Sequence, residues 1–302
     1  MLSVIYLVRH GQASFGSADY DVLSELGYRQ AALVGAELRA RGVRVDLAVS
    51  GTLRRQRETA RAALAAYAGA APAAGPAAPG GRAARPAASA ALGSPVAGAG
   101  APAGTGLAVA NGAAGPDVTA GPDVTDGQDV TDGQDGLGVA GWAGEVEPDA
   151  RWNEYDQDWL IDRHADIGDV PAAAERLPPS RGMSSRAFQG LLDVALSEWV
   201  SRTDTGPGSF VAFSDGVGDA LDGLVRRLGS GGTAVVFSSA GPIGAVCARL
   251  LGLGADGLVS LNRVMINGGI SKIVSGRSGT SLISVNEHSH IDAAGREFLS
   301  YR

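Results

Sequence analysis

The 302-residue chain is poor in cysteine and in aromatic residues, with one Cys and 5% Phe, Trp and Tyr together. The lone Cys247 cannot close an internal disulfide, so a stapled secreted scaffold is excluded and a reducing compartment is expected. Runs of about 18 large apolar residues are also missing, so no membrane span is expected. The opening MLSVIYLVRHG has no basic stretch before its short apolar run and no small-residue cleavage site after it. It does not read as a signal peptide. Positive charge is in deficit, with 25 Lys and Arg against 32 Asp and Glu and a net charge of −7. That balance argues against nucleic acid or anionic membrane as partners, while allowing a local basic pocket. The expected location is the cytoplasm.

Glycine, by contrast, is abundant at 45 residues, about twice ordinary usage. The excess concentrates between Ala68 and Gly144. That segment opens as AGAAPAAGPAAPGG and continues with a six-residue repeat, GPDVTA, GPDVTD, GQDVTD, GQDGLG. With hardly a large apolar side chain, it cannot offset its backbone entropy, and a disordered insertion over 68–144 is expected. A β-solenoid is disfavoured because the few copies of the repeat offer a single Val each. Loop-closure entropy grows only logarithmically, so one domain over 1–302 can carry this insertion.

The remainder alternates strand and helix patterns. Leu2 to Val8 reads as a buried parallel strand. Ser24 to Arg41 reads as a helix stopped by Gly42. A strand over Val45 to Val49 precedes a helix through Arg55, Thr59 and Leu64. Helices are expected over Ser184 to Val200 and Ser209 to Leu228. A strand over Thr233 to Phe237 should lead into a helix from Pro242 to Leu251. Strands over Ile270 to Val274 and Ser281 to Val285 close the chain. This order predicts an α/β fold with a sheet covered on both faces, with ligands bound beyond the strands' carboxyl ends.

Three clusters fall at or near such ends. Arg9-His10-Gly11-Gln12 combines a nucleophile or base, a guanidinium fork suited to phosphate and a glycine that admits close approach. An ordinary strand-end turn is the alternative. Ser50 to Ala60, SGTLRRQRETA, puts arginines on a helix's first turn, where the dipole also favours anions. A solvated basic helix face is the competing reading. Arg151 to Asp156, RWNEYD, offers a carboxylate between two aromatic residues.

LVRHGQASF, SGTLRRQRETA, RWNEYD, VVFSSAGPIGA and SVNEHSHI, in this order, resemble the histidine phosphatase superfamily, also called phosphoglycerate-mutase-like. The likeness spans the chain apart from the insertion. It implies a three-layer α/β/α sandwich with a mostly parallel sheet, and hydrolysis of a small phosphomonoester without cofactor or metal. It implies His10 as the nucleophile, Arg9 and Arg55 as phosphoryl grips, and Glu154 as proton donor to the leaving oxygen. Arg55 is chosen over Arg54 because it lies four residues before Thr59, as the family's R-x-x-x-T-A pattern requires. Gln12, Ser239, Ala240 and Gly241 would complete the phosphate site. The family's second histidine falls at Ser239 and the following glycine at Ala240, so a phosphate-binding protein without turnover, or a mutase, are alternatives. Pro242 is expected at the first position of the following helix, leaving amides near Ala240 and Gly241 to face an anion.

Other constellations are weaker. His288, His290 and Asp292 would share one strand face if their segment were extended, a metal arrangement set against a structural strand. Cys247 reads as a buried core thiol. Ser214 and Ser239 lack the G-x-S-x-G elbow of a serine hydrolase. Residues 156–179 are expected to form the cap over the pocket; the substrate, the oligomeric state and the pathway have no code here.

Overall fold

The first strand, β1 (Ser3–Arg9), is buried on both faces, which explains why its sequence is apolar without alternation. Ile5 and Leu7 join one core cluster, and Tyr6 and Val8 join another, following the period of two along a strand. The structure is a computed structural model that describes residues 1–14, 21–70, 142, 144–164 and 185–301. The chain divides into two compact units, Met1–Ala77 with Gly138–Arg302, and Ala78–Leu137. The second unit lies outside the described residues, as does most of the insertion expected over 68–144 with its repeats.

Among the described residues, the other strands are β2 (Leu47–Ser50), β3 (Val146–Pro148), β4 (Thr233–Ser238), β5 (Ile270–Gly276) and β6 (Gly279–Glu287). They form one sheet in the order β3-β2-β4-β1-β5-β6. The first four in that order run parallel, with Leu7 opposite Val236 and Val49 opposite Val236 from the other side. β5 runs antiparallel to β1, and β6 runs antiparallel to β5 at the edge.

Helices cover both faces. α1 (Glu25–Ala40) and α2 (Arg54–Tyr67) lie on one side, where Val34, Leu38, Ala63 and Leu64 pack with Tyr6, Val8, Val235 and Phe237. Gly35 lets these helices approach closely, since a Cβ there would stand 1.9 Å from the Ala63 carbonyl oxygen. α3 (Gln157–His164), α4 (Ser185–Ser201), α5 (Phe210–Leu228), α6 (Ala240–Leu250) and α7 (Ala255–Val264) supply the other layer. Leu160, Leu196, Leu221, Ile243 and Leu258 from these helices pack with Ile5, Leu7 and Val236. The fold is therefore a three-layer α/β/α sandwich with a mostly parallel sheet.

Local signals explain most boundaries. The Ser24 hydroxyl accepts from the Gly27 amide and caps α1, while Gly42 ends it at φ +62°. In four places the structure differs from, or adds to, the sequence reading. α6 starts at Ala240, so Pro242 is its third residue and not its first; Ser239 is the N-cap residue. Gln157–His164, at the start of the segment expected to form the cap, is helical, with Leu160 and Ile161 fully buried one turn beyond Gln157, and residues 165–179 lie outside the described residues. β3 and α7 were not legible at all: β3 is only three residues long, and glycines interrupt the approach to α7. Finally, the segment around His288 is not extended. Ser289–Asp292 forms a short helix, α8, so His288, His290 and Asp292 share no strand face.

Those groups have other partners. His290 is buried, with Nε2 3.0 Å from the Gly268 carbonyl oxygen, and His288 Nε2 lies 3.6 Å from Asp292. No group of three metal-ligating side chains forms among the described residues. Cys247 is fully buried in α6, and burial pushes its thiol up to about 12, partly offset by its hydrogen bond with Ser271. No helix among the described residues is long and apolar enough to cross a membrane.

Candidate active site

The candidate side chains follow the carboxyl ends of four adjacent parallel strands. His10 follows β1, Arg55 follows β2, Glu154 follows β3 and Ser239 follows β4. The β1 and β4 ends are tied directly, since the His10 amide donates to the Ser238 carbonyl at 2.9 Å. This is the region where open α/β sheets bind ligands.

His10 is 5% exposed. Its Nδ1 lies 2.7 Å from the Gly11 carbonyl oxygen. A carbonyl can only accept, so Nδ1 carries the hydrogen in this contact. The backbone around it is pinned from both sides. Asn267 Nδ2 donates to the His10 carbonyl at 3.0 Å, and the Gly11 amide donates to Thr59 Oγ1 at 3.1 Å. Thr59 Oγ1 in turn donates to the Arg55 carbonyl at 2.7 Å. Gly11 is required here, since a Cβ would stand 2.3 Å from the Gly27 carbonyl oxygen.

Both expected arginine grips are buried. Arg9 donates from Nη1 to the Met265 carbonyl at the end of α7. Arg55, on the first turn of α2, pairs through Nη1 with Asp21 Oδ1 at 2.7 Å. The same carboxylate accepts from the Arg54 amide at 2.7 Å. It therefore supplies the cap that Leu53, at the N-cap position of α2, cannot. Arg54 is the more exposed of the two and pairs with Glu58 at 2.8 Å. Glu58 also accepts from the Leu23 amide at 2.9 Å. Burial together with Glu58 pushes the Tyr28 phenol up to about 12. Gln12 is half-buried, and its side-chain oxygen accepts from the Ser24 hydroxyl at 3.0 Å.

The other side of the cluster is neutral except for Glu154, which accepts from the Gly241 amide on the first turn of α6 at 3.3 Å. Its neighbours are stitched to the β2 end, where Asn153 and Thr52 exchange two hydrogen bonds of 2.6 and 2.7 Å. Gly241 leaves room for the carboxylate, as a Cβ there would lie 2.1 Å from Glu154 Oε1. Ser239 is fully buried. Its hydroxyl does not cap α6 but accepts from Gln56 Nε2 at 2.9 Å. Gln56 Nε2 also donates to the Trp152 carbonyl at 2.9 Å, and Ser238 donates to the same carbonyl at 2.7 Å. Ala240 is buried beside this network.

Sequence reasoning missed Asp21, Gln56 and Asn267. Asp21 reads as an ordinary turn acid and Gln56 as one polar residue on a charged helix. Asn267 carries no local signal, since its importance comes from β5 pairing with β1.

A buried histidine and two buried arginines thus lie beyond the carboxyl ends of a mostly parallel sheet. The model of the histidine phosphatase superfamily (branch 1) matches residues 5–72. Three solved structures are similar over most of the chain. A phosphoserine phosphatase mutant from Entamoeba histolytica in complex with phosphoserine is 15% identical, with a TM-score of 0.50 and coverage of 96% of this chain and 99% of that one. The mycobacterial hydrolase 1 is 17% identical, with a TM-score of 0.51 and coverage of 95% and 99%. Bacillus stearothermophilus YhfR is 14% identical, with a TM-score of 0.51 and coverage of 95% and 98%. At such identities the likeness is one of fold. No curated protein matches the chain significantly.

Proposed function

We propose that the protein hydrolyses a small phosphomonoester through a phosphohistidine at His10. The observation that carries this reading is the Nδ1 contact with the Gly11 carbonyl, which leaves the Nε2 lone pair as the nucleophile. That lone pair attacks phosphorus; the N–P bond forms as the ester P–O bond breaks. Glu154, entering the step protonated, gives its proton to the leaving oxygen. In the second step water passes a proton to the Glu154 carboxylate and attacks phosphorus. The N–P bond breaks and inorganic phosphate leaves.

Arg9 and Arg55 offset charge on the transferring group, and Gln12 lies on the same loop as His10. The α6 N-terminus adds the amides near Ala240 and Gly241. Protonating Glu154 weakens its hold on the Gly241 amide, which then becomes available to a phosphoryl oxygen. A fold neighbour that is a phosphoserine phosphatase agrees with this chemistry.

Ser239 favours a second reading, phosphate binding with little turnover. A buried hydroxyl engaged by Gln56 is a poorer donor than an imidazole, and one transition-state donor is worth about 10²–10³ in rate. Hydrolysis of p-nitrophenyl phosphate in the presence of a chelator separates the two. The phosphatase reading expects turnover that His10→Ala abolishes. Equal inertness of both proteins across a broad phosphomonoester panel, with phosphate still bound, would establish the second reading.

A further inference from the structure

We propose that Asp21 is a positioning residue for Arg55, setting the guanidinium for an incoming phosphoryl group. This inference rests on the reading of Arg55 as a phosphate grip. The carboxylate has two separate duties: Oδ1 holds Arg55 Nη1 at 2.7 Å and Oδ2 accepts the Arg54 amide at 2.7 Å. One anionic group thus fixes both the helix that carries Arg55 and the guanidinium itself. With Nη1 tethered, the planar fork loses most of its rotational freedom, and the loss is incurred before a ligand arrives.

The carboxylate is itself held in place. Asp21 opens a short arm whose next residues are pinned in turn. The Val22 carbonyl accepts from the Ser14 amide at 2.8 Å, the Leu23 amide donates to Glu58 at 2.9 Å, and the Ser24 amide donates to the Gln12 carbonyl at 2.9 Å. Ala13 and Leu23 pair as an antiparallel bridge. The arm is therefore laid along the segment that begins with His10, and its acid reaches across to α2. The nucleophile's loop and the grip's helix are registered through this one side chain. Arg55 is 8% and Asp21 34% exposed by side chain, so the pair sits at the rim of a buried site.

The two duties can be separated. Asp21→Asn keeps one oxygen, enough to cap α2, but replaces the second by an NH₂ group that cannot accept from Nη1. Asp21→Ala removes both. Binding of inorganic phosphate by calorimetry reads the effect whether or not the protein turns over substrate, and thermal melting reads stability alongside. Asp21→Asn is expected to keep the melting temperature near that of the wild type while weakening phosphate binding about ten-fold, as a displaced catalytic group does. Asp21→Ala is expected to weaken binding at least as much and to lower the melting temperature. In an Arg55→Ala background, Asp21→Asn should have no further effect on binding.

Unchanged or tighter phosphate binding in Asp21→Asn overturns the inference, as does an undiminished effect in the Arg55→Ala background. A wild type that binds phosphate but hydrolyses no phosphomonoester removes the proposed function and leaves this inference standing. A wild type that binds no phosphate overturns both.

Discussion

The two sides of the strand-end cluster solve the same positioning problem with different chemistry. Beyond β1 and β2 the groups are ionic: Arg55 is set by Asp21, and Arg54 by Glu58, which also holds Leu23. Beyond β3 and β4 the network is mostly neutral: Ser238, Ser239 and the Trp152 carbonyl are buried and linked by hydrogen bonds, with Gln56 reaching in from α2. Ionic positioning tolerates partial exposure and gives charge to a ligand. A buried neutral network gives almost no charge, but each member fixes its neighbours because an unsatisfied polar group there is costly. Under the proposed function, phosphate recognition would fall to the first side and the geometry of the proton donor to the second.

Changes on the ionic side should act on turnover most strongly. His10→Ala is expected to reduce phosphomonoester hydrolysis by at least about 10³-fold, since the proposed reaction makes its bond to phosphorus at this side chain. A smaller, substrate-dependent loss is expected from Glu154→Gln, the acidic residue of the other side. It should lower kcat about 10²–10³-fold for an alkyl phosphate, whose leaving oxygen needs a proton. For p-nitrophenyl phosphate the loss should be far smaller, because nitrophenolate leaves without protonation. Equal losses for the two substrates would remove Glu154 from the acid role.

On the neutral side the readout is stability. Gln56→Ala deprives the Ser239 hydroxyl and the Leu53 amide of their partner and leaves a void, at a cost of about 1–3 kcal/mol. Chemical denaturation measures this directly; a loss below a few tenths of a kcal/mol would show that the network relaxes freely. The smallest effect lies away from both sides. Burial holds the His290 imidazole below its ordinary pKa of 6.5, against the opposing hydrogen bond to Gly268. As pH falls through 6.5 the unfolded chain takes up this proton before the folded one does, so stability is lost in that window. His290→Asn should flatten the acid limb of a melting-temperature profile between pH 7 and 5, and an unchanged limb would assign it to other groups.

Most of the sheet and the first half of the site were legible because their signals are local. The apolar run of β1, the Ser24 and Gly42 punctuation and the spacing of Arg55 before Thr59 each lie within one element or one turn. The second half resisted because its meaning is made by partners far apart in the chain. Gln56 and Ser239 are separated by 183 positions, and Asn267 reaches the His10 carbonyl only because β5 pairs with β1. The α6 start was misread because Pro242 is acceptable anywhere in a helix's first turn, where its missing N–H costs nothing. The helical Ser289–Asp292 was misread because the likeness of SVNEHSHI to a closing strand was carried past Glu287, where β6 ends, and His290 and Ile291 are buried on a short helix instead.

The central claim is that His10 Nε2 becomes covalently bonded to phosphorus. Incubating the full chain with a ³²P-labelled phosphomonoester, quenching in alkali and mapping the label by peptide analysis tests it most directly. The account predicts alkali-stable, acid-labile phosphate on the peptide carrying His10, and none in His10→Ala. Steady turnover with no label at His10, or with label on another residue, would contradict it.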